Sequence, residues 1–256
     1  MSISTAVILA AGMGTRLSSV TKDKIPKGFL EINGQTLIER SINKLRSVGI
    51  RKIYIVTGHL NTYYDKLCEK YKFIKTRHNR FYRKTGSMAS LAVLEDEISE
   101  DFILLESDII YEVYALIETI NYKEDDCVLL SGRTNSGDEC YVQVKENNLY
   151  KISKNIEDID EVYGELVGIS KISIGLFKEI IRQYKRFKAD LFLENYKDKY
   201  DYENAIFDSA KERKIGYLKL NNLIWGEIDD ESHLNRIKNI IIPKLENKNI
   251  KEEITK

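Results

Sequence analysis

Two glycines, two cations and two carboxylates carry most of the chemistry this sequence offers. Leu9-Ala10-Ala11-Gly12-Met13-Gly14-Thr15-Arg16-Leu17 directly follows an apolar run. Small residues in such a turn let backbone approach a planar base or a phosphate, because a β-carbon would fill that space or forbid the torsions. Successive backbone N–H groups then face outward, and Arg16 adds a forked, charge-assisted donor for phosphate oxygens. Position 17 is Leu where a dinucleotide fingerprint has its third glycine, and no Gly-Lys-Ser/Thr follows as a P-loop requires. A tight strand exit without a ligand is the plain alternative, and the loop alone leaves both open. Pro26 fixes its own torsion and drives Ile25 into extended backbone, so Lys27 is presented from a defined path. A lysine there suits charge compensation on a phosphoryl group, although a lysine beside proline is more often solvated surface.

Asp108 follows an apolar strand, and Asp229 closes the short run Glu227-Ile228-Asp229. Magnesium takes hard oxygen ligands, often one or two carboxylates with phosphate and water, and this pair suits it. Each aspartate equally suits the cap of a following helix. Ser87 can cap the helix it precedes, and Lys84 beside Arg83 can meet an anion. Asp138, Glu139, Glu203 and Glu227 are candidates for holding a small ammonium group, with Tyr111, Tyr141 and Tyr202 shaping a pocket. Any one of these also reads as a surface carboxylate or a packed tyrosine. His59 beside Gly58 suits packing as well as ligand contact, and His78 and His233 have no partner at zinc spacing.

The elements that must position these groups are legible in outline. Residues 5–10 form a continuous apolar run ended by Ala11-Gly12, the mark of a central strand buried on both faces. Asn33-Gly34 is a turn pair, and residues 36–45 carry Ile38, Ile42 and Leu45 at helical spacing before Gly49 stops them. Residues 52–57 predict a second strand, followed by Gly58-His59-Leu60 and a helix over 62–69. Residues 73–76 read as a short edge strand, 88–94 as a helix and 101–106 as a strand leading into Ser107-Asp108. This alternation predicts parallel crossovers, whose loops gather on one rim. Residues 127–130, 141–144 and 150–152 are short strands among Gly, Asn and Asp turns. They predict a small mixed or antiparallel extension over that rim, within residues 127–165. Further on, 166–170 and 215–220 read as strands, 175–184 and 190–210 as helices and 227–229 as a short strand. A closing helix spans 232–245, bent or ended by Pro243. Residues 1–246 thus read as one domain, and the polar residues 247–256 as a disordered tail or linker.

The 256 residues hold forty Lys plus Arg against forty Asp plus Glu, so positive surface is local and a dedicated nucleic-acid or membrane binder is disfavoured. Arg77, Arg80, Arg83 and Lys84 form a short basic cluster without a recognition motif. Cys68, Cys127 and Cys140 are widely spaced and read as reduced, mostly buried small hydrophobes. With no basic leader or long apolar stretch at the start, the expected residence is cytoplasmic.

The segments Ala10-Ala11-Gly12-Met13-Gly14-Thr15-Arg16-Leu17 and Pro26-Lys27 resemble the signature of nucleotidyltransferases that activate sugar phosphates, phosphocholine and related headgroups. The likeness continues through Gly58-His59-Leu60, Glu106-Ser107-Asp108 and Gly226-Glu227-Ile228-Asp229. It is most similar to small bacterial cytidylyltransferases acting on phosphocholine or 2-aminoethylphosphonate, and residues 26–32 with 56–60 look more like the aminoethylphosphonate branch. The resemblance implies a Rossmann-like, GT-A-like α/β fold: a predominantly parallel mixed sheet flanked by helices, with a small acceptor-side extension. It also implies that Leu9, Ala10, Ala11, Gly12, Met13, Gly14, Thr15 and Ser87 hold CTP, that Arg16 and Lys27 act on phosphates, and that Asp108 and Asp229 bind Mg2+. Lys84, Tyr111, Asp138, Glu139, Tyr141, Glu203 and Glu227 would then face the acceptor, and CMP would pass to 2-aminoethylphosphonate with release of pyrophosphate. Where the phosphocholine branch carries a tryptophan for the choline head, this chain has Cys140 beside Glu139. Phosphocholine and a sugar 1-phosphate are the alternative acceptors. The alternative of another class is a non-catalytic nucleotide-binding module, fused to a further domain through the polar segment after Glu246.

Overall fold

The computed structural model describes residues 3–194 and 199–254. Its strands are β1 (Thr5–Ala10), β2 (Glu31–Ile32), β3 (Gln35–Thr36), β4 (Lys52–Thr57), β5 (Ile74–His78), β6 (Phe102–Glu106), β7 (Ile109–Tyr111), β8 (Cys127–Ser131), β9 (Tyr141–Lys145), β10 (Asn148–Ser153), β11 (Gly164–Ile172), β12 (Gly216–Leu220) and β13 (Trp225–Glu227). The helices are α1 (Ser18–Thr21), α2 (Leu37–Ser47), α3 (Thr62–Lys70), α4 (Ser87–Ala92), α5 (Val113–Ile120), α6 (Ile174–Glu194), α7 (Tyr202–Ala210), α8 (Glu231–Arg236) and α9 (Ile242–Ile254).

The apolar run of β1 is buried along its whole length because parallel neighbours β4 and β6 flank it. Successive side chains point to opposite faces, and the two faces build two cores. Val7, Leu9, Tyr54, Val56 and Leu104 meet α4, α6 and α7 on one side. Ala6, Ile8, Ile53, Ile55 and Leu105 meet α2, α3 and α5 on the other. The sheet runs β10-β9-β11-β6-β1-β4-β5, with β8 between β11 and β12. β5, β4, β1 and β6 are parallel, whereas β11 is antiparallel to β6. This is a mixed α/β sheet, parallel at its centre and flanked by helices on both faces.

A third, smaller core lies beneath the rim. Leu17, Leu30, Ile32, Ile110, Ile228, Leu234, Ile237 and Ile241 pack together. They join the chain on either side of Lys27 to β7, β13 and the closing helices. The β7–β13 ladder, with Glu227 opposite Ile109, then brings Asp229 beside Asp108. The amide of Ile228 donates to the carbonyl of Asp108 at 3.0 Å, which locks that register.

Several elements depart from expectation. The 190–210 helix is two helices: α6 runs on from Ile174 to Glu194, and α7 begins afresh at Tyr202. Asp201 and Asn204 form a reciprocal cap there, satisfying amides that a continuous helix would bond internally. Part of the expected helix, residues 195–198, lies outside the described residues. The β9–β10 hairpin is the expected antiparallel extension, and it continues the main sheet through β11. The expected polar tail is helical to Ile254, continuous with the closing helix, while residues 255–256 lie outside the described residues. Pro243 does not end that helix. A π-helical stretch at Ile237–Ile241 precedes it, relieving the clash between its ring and a carbonyl one turn back. β7 and α5 were not read from the sequence.

Candidate active site

A cleft of about 450 Å³ opens at the carboxyl ends of β1 and β6. Leu9 through Arg16 form one wall, and Lys27, Asp108, Glu227 and Asp229 form the floor. Gly14 is left-handed, with φ +64°, and its carbonyl accepts from Leu17 N at 2.9 Å, turning the loop into the next helical turn. Gly12 has nothing within 4 Å of where a β-carbon would stand, so the loop backbone there borders open cleft. Gly58 is held by closeness: a β-carbon would lie 2.4 Å from the Ala11 carbonyl and 2.7 Å from Tyr82. The strand-end turn after β4 thereby supports the glycine-rich loop from behind.

Lys27 joins the two expected metal ligands. Its ammonium stands 3.0 Å from Asp108 Oδ2 and 2.6 Å from Asp229 Oδ1. Burial disfavours its charge, but Asp108 and Asp229 outweigh that, so its pKa is raised. Burial likewise opposes the charge on Asp229, and Lys27 and Arg16 overcome it to depress the pKa. Arg16 spans outward, 2.9 Å from Asp229 Oδ1 and 2.9 Å from Asp138 Oδ2. Lys154 reaches Asp138 from the other side at 3.1 Å.

The opposite wall is acidic. Glu106 and Glu227 point at Asp108, with one oxygen of each of the three within 4.8 Å of the others. Glu203 lines the cleft nearby. Burial, then neighbouring carboxylates, push the pKa values of Glu106, Glu203 and Glu227 well above the ordinary range. Tyr202 donates to Glu106 at 2.7 Å. Gly168, at φ +76°, lies directly beneath, where a β-carbon would come 2.8 Å from Glu106 Oε2. A divalent cation fits this donor set: all the groups are hard oxygens, and Asp229 Oδ2 is buried without a hydrogen-bond partner. The oxygens best gathered for it are those of Glu106, Asp108 and Glu227, whereas the accessible oxygen of Asp229 faces Lys27 and Arg16.

Of the expected nucleotide residues, Leu9, Ala10, Ala11, Gly12, Met13, Gly14, Thr15 and Ser87 all line the cleft. Ser87 does not cap α4. Its hydroxyl donates to Asp201 at 3.0 Å and accepts from Tyr202 N at 2.9 Å, while its amide donates to Asp201 at 2.8 Å. Gly86 permits this docking, because a β-carbon there would meet the Tyr200 carbonyl at 2.4 Å.

The acceptor candidates divide. Glu203 and Glu227 face the cleft, and Asp138 stands behind Arg16 and Lys154. Tyr111 does not: it is fully buried in β7, with the Lys44 ammonium 4.6 Å from its ring centre. Both faces of that short strand are covered, so its tyrosine belongs to the core. Lys84 is exposed away from the cleft walls. Glu139 is buried and accepts from the Tyr141 hydroxyl at 3.3 Å, while the Tyr141 ring lies beneath Arg133. Arg77 of the basic cluster is paired with Glu97.

Sequence reasoning missed Glu106, Lys154, Asp201 and His233. Glu106 reads as the last residue of an apolar strand, and it stood in the Glu106-Ser107-Asp108 stretch of the resemblance without a role of its own. His233 is buried, with Nδ1 3.3 Å from the Asp229 amide and Nε2 3.2 Å from the Ser136 carbonyl. It holds the backbone that carries Asp229, with no spacing pattern to announce it.

A parallel-centred sheet, a glycine-rich loop facing two cations and an acidic floor define a nucleotidyltransferase. Residues 6–148 match the MobA-like NTP transferase domain, and the chain belongs to that family. It is 30% identical over 240 residues to the CTP:phosphoglutamine cytidylyltransferase of Campylobacter jejuni subsp. jejuni serotype O:2, covering 88% of this chain and 92% of that protein. It is 27% identical to a choline-phosphate cytidylyltransferase of Streptococcus pneumoniae, over 74% of this chain and 99% of that one. Likeness to a 2-aminoethylphosphonate cytidylyltransferase of Lancefieldella rimae, 33% identical, spans 37% of this chain and 38% of that one, which does not single out the aminoethylphosphonate branch. The solved inositol-1-phosphate CTP transferase from T. maritima shares the fold, with a TM-score of 0.78, 22% identity and coverage of 96% and 97% of the two chains. Among the described residues, no helix is long and apolar enough to cross a membrane.

Proposed function

We propose that the protein transfers CMP from CTP to a small phosphate or phosphonate that carries an ammonium group, releasing pyrophosphate. The observation that carries the acceptor reading is the half-buried wall of Glu106, Glu203 and Glu227 lining the cleft opposite the cationic loop. A primary ammonium donates three hydrogen bonds and suits carboxylates, whereas a quaternary one prefers an aromatic cage. The set includes 2-aminoethylphosphonate, phosphoethanolamine and phosphoglutamine. The long alignment with the phosphoglutamine relative supports a phosphorylated amino compound as acceptor as much as a phosphonate.

The loop from Leu9 to Thr15 would receive base and triphosphate, its small residues allowing close backbone approach. Arg16 would face the departing pyrophosphate, and Lys27 the reacting phosphoryl groups. An acceptor oxygen attacks the α-phosphorus in line, forming a new P–O bond. The bond from the α-phosphorus to the bridging oxygen breaks, and its electron pair leaves with pyrophosphate. The nucleophile needs no general base, since the second ionisation of a phosphoryl group lies near pKa ~6. Mg2+ held by Asp108 with Asp229, whose second oxygen has no hydrogen-bond partner, would supply charge neutralisation for the triphosphate and leave Glu106, Glu203 and Glu227 to the acceptor.

A pyrophosphate-release panel tests this directly. CTP, UTP, ATP and GTP are crossed with 2-aminoethylphosphonate, phosphoethanolamine, phosphoglutamine, phosphocholine and several sugar 1-phosphates. CTP with an ammonium-bearing acceptor should give the highest kcat/KM. A preference for a sugar 1-phosphate would overturn the acceptor reading and leave the transfer chemistry standing.

A further inference from the structure

The place between Asp108 and Asp229 already holds a cation, and that cation belongs to the chain. Lys27 Nζ lies 3.0 Å from one carboxylate and 2.6 Å from the other, with the lysine side chain only 15% exposed. Asp229 is more deeply buried, 5% exposed at its side chain, and its Oδ1 also receives Arg16 at 2.9 Å. Its second oxygen has no partner. The acid pair is thus neutralised from the side of Lys27 and Arg16, while the buried second oxygen of Asp229 has no hydrogen-bond partner.

The lysine stem has a defined course. A β-carbon placed on Gly14 would lie 3.0 Å from Lys27 Cγ, so the stem runs against the bare backbone of the glycine-rich loop before reaching the acids. The end of the stem, Lys27 Cε, lies 3.7 Å from that same β-carbon position, so the ammonium stands between the acid pair and the loop. Leu30, within the same small core as Leu17 and Ile228, anchors the chain just past Lys27.

We infer that Lys27 is an exchangeable internal cation: in the nucleotide-free protein it occupies the Asp108–Asp229 pair and excludes a divalent ion, and it yields that place when a triphosphate draws it to the loop. This rests on the metal role of the acidic floor proposed above. Two positive charges within ~4 Å repel by several kcal/mol even at the effective dielectric of a protein surface, so both cannot share the pair cheaply. Metal and nucleotide are therefore taken up together.

The probe is Mn2+ alone, titrated into the nucleotide-free full chain and read from the free-Mn2+ electron paramagnetic resonance signal. Lys27→Met and Lys27→Gln should bind Mn2+ roughly tenfold or more tightly than the wild type, while Lys27→Arg, which keeps the charge, should not. Mn2+ alone should raise the melting temperature of the two neutral variants and leave that of the wild type unchanged, so either variant suffices if the other fails to fold. Equal affinity in wild type and neutral variants would overturn the exchange. If the wild type binds no Mn2+ even with CTP present, the metal role fails as well. If it binds Mn2+ with CTP while the neutral variants gain nothing, only the exchange fails.

Discussion

Tyr202 donates its phenolic hydrogen to Glu106 across 2.7 Å, joining the first turn of α7 to the end of β6. Tyr202 is 1% exposed, so no water replaces it if the hydroxyl is lost. Tyr202→Phe should cost about 1–3 kcal/mol, visible as a lower melting temperature together with a raised acceptor KM. An unchanged melt would mean that the bond contributes nothing to holding the acidic wall.

Lys27→Ala removes the positive group shared by Asp108 and Asp229. Loss of one charge-compensating donor costs about 2–4 kcal/mol in the transition state. Turnover should fall accordingly while circular dichroism retains the folded spectrum. Near-normal turnover in a folded variant would rule out the role assigned to this lysine.

Glu203 is the acidic-wall carboxylate that neighbours neither aspartate in the sequence, standing in the first turn of α7. Glu203→Gln should raise KM for an ammonium-bearing acceptor by about tenfold or more, the worth of one charged hydrogen bond. KM for CTP should stay close to the wild-type value. If both constants rise together, Glu203 serves the architecture of the cleft and not the acceptor.

Glu165 provides a pH test away from the reaction. It is 2% exposed, and burial raises its pKa to about 7 against the opposing hydrogen bonds from the Thr134 amide and hydroxyl. Between the unfolded value of 4.5 and that of the native state, the folded protein holds more protons than the unfolded chain. Its stability therefore falls as pH rises through this window, by about 3 kcal/mol in total. Denaturant melts from pH 4 to 8 should show a slope of this sign, to which Glu106, Glu203 and Glu227 add in the same direction, and Glu165→Gln should reduce it by this share.

Gly58 leaves no room for a methyl group beside the Ala11 carbonyl and Tyr82. Gly58→Ala should destabilise the protein by about 1–3 kcal/mol and weaken CTP binding, because the glycine-rich loop rests on that contact. Calorimetric titration with CTP after a thermal melt reads both effects.

The sequence announces elements that bury a continuous or periodic apolar face. β1 and β4 are apolar runs, and Ile38, Ile42 and Leu45 of α2 recur at helical spacing. The glycine-rich loop and Lys27 were legible because turn chemistry and proline leave local marks. The β7–β13 ladder was not, since strands of three residues have no periodicity to detect. Tyr111 misled for that reason, its burial on both faces being a tertiary fact. Glu106 was hidden by its place at the end of an apolar strand. His233 and Lys154 act through contacts made only after distant segments meet.

Gly168 leaves the acidic wall standing on bare main chain. No side chain can be added at that position without displacing the Glu106 carboxylate, and the left-handed torsion disfavours any residue but glycine. The underside of the cleft is thus closed to variation. Variation in the lining of the cleft must come from its sides, where Tyr202 and Glu203 open α7 and Lys154 follows β10. Those segments, and not the sheet, are where an altered substrate preference can be engineered.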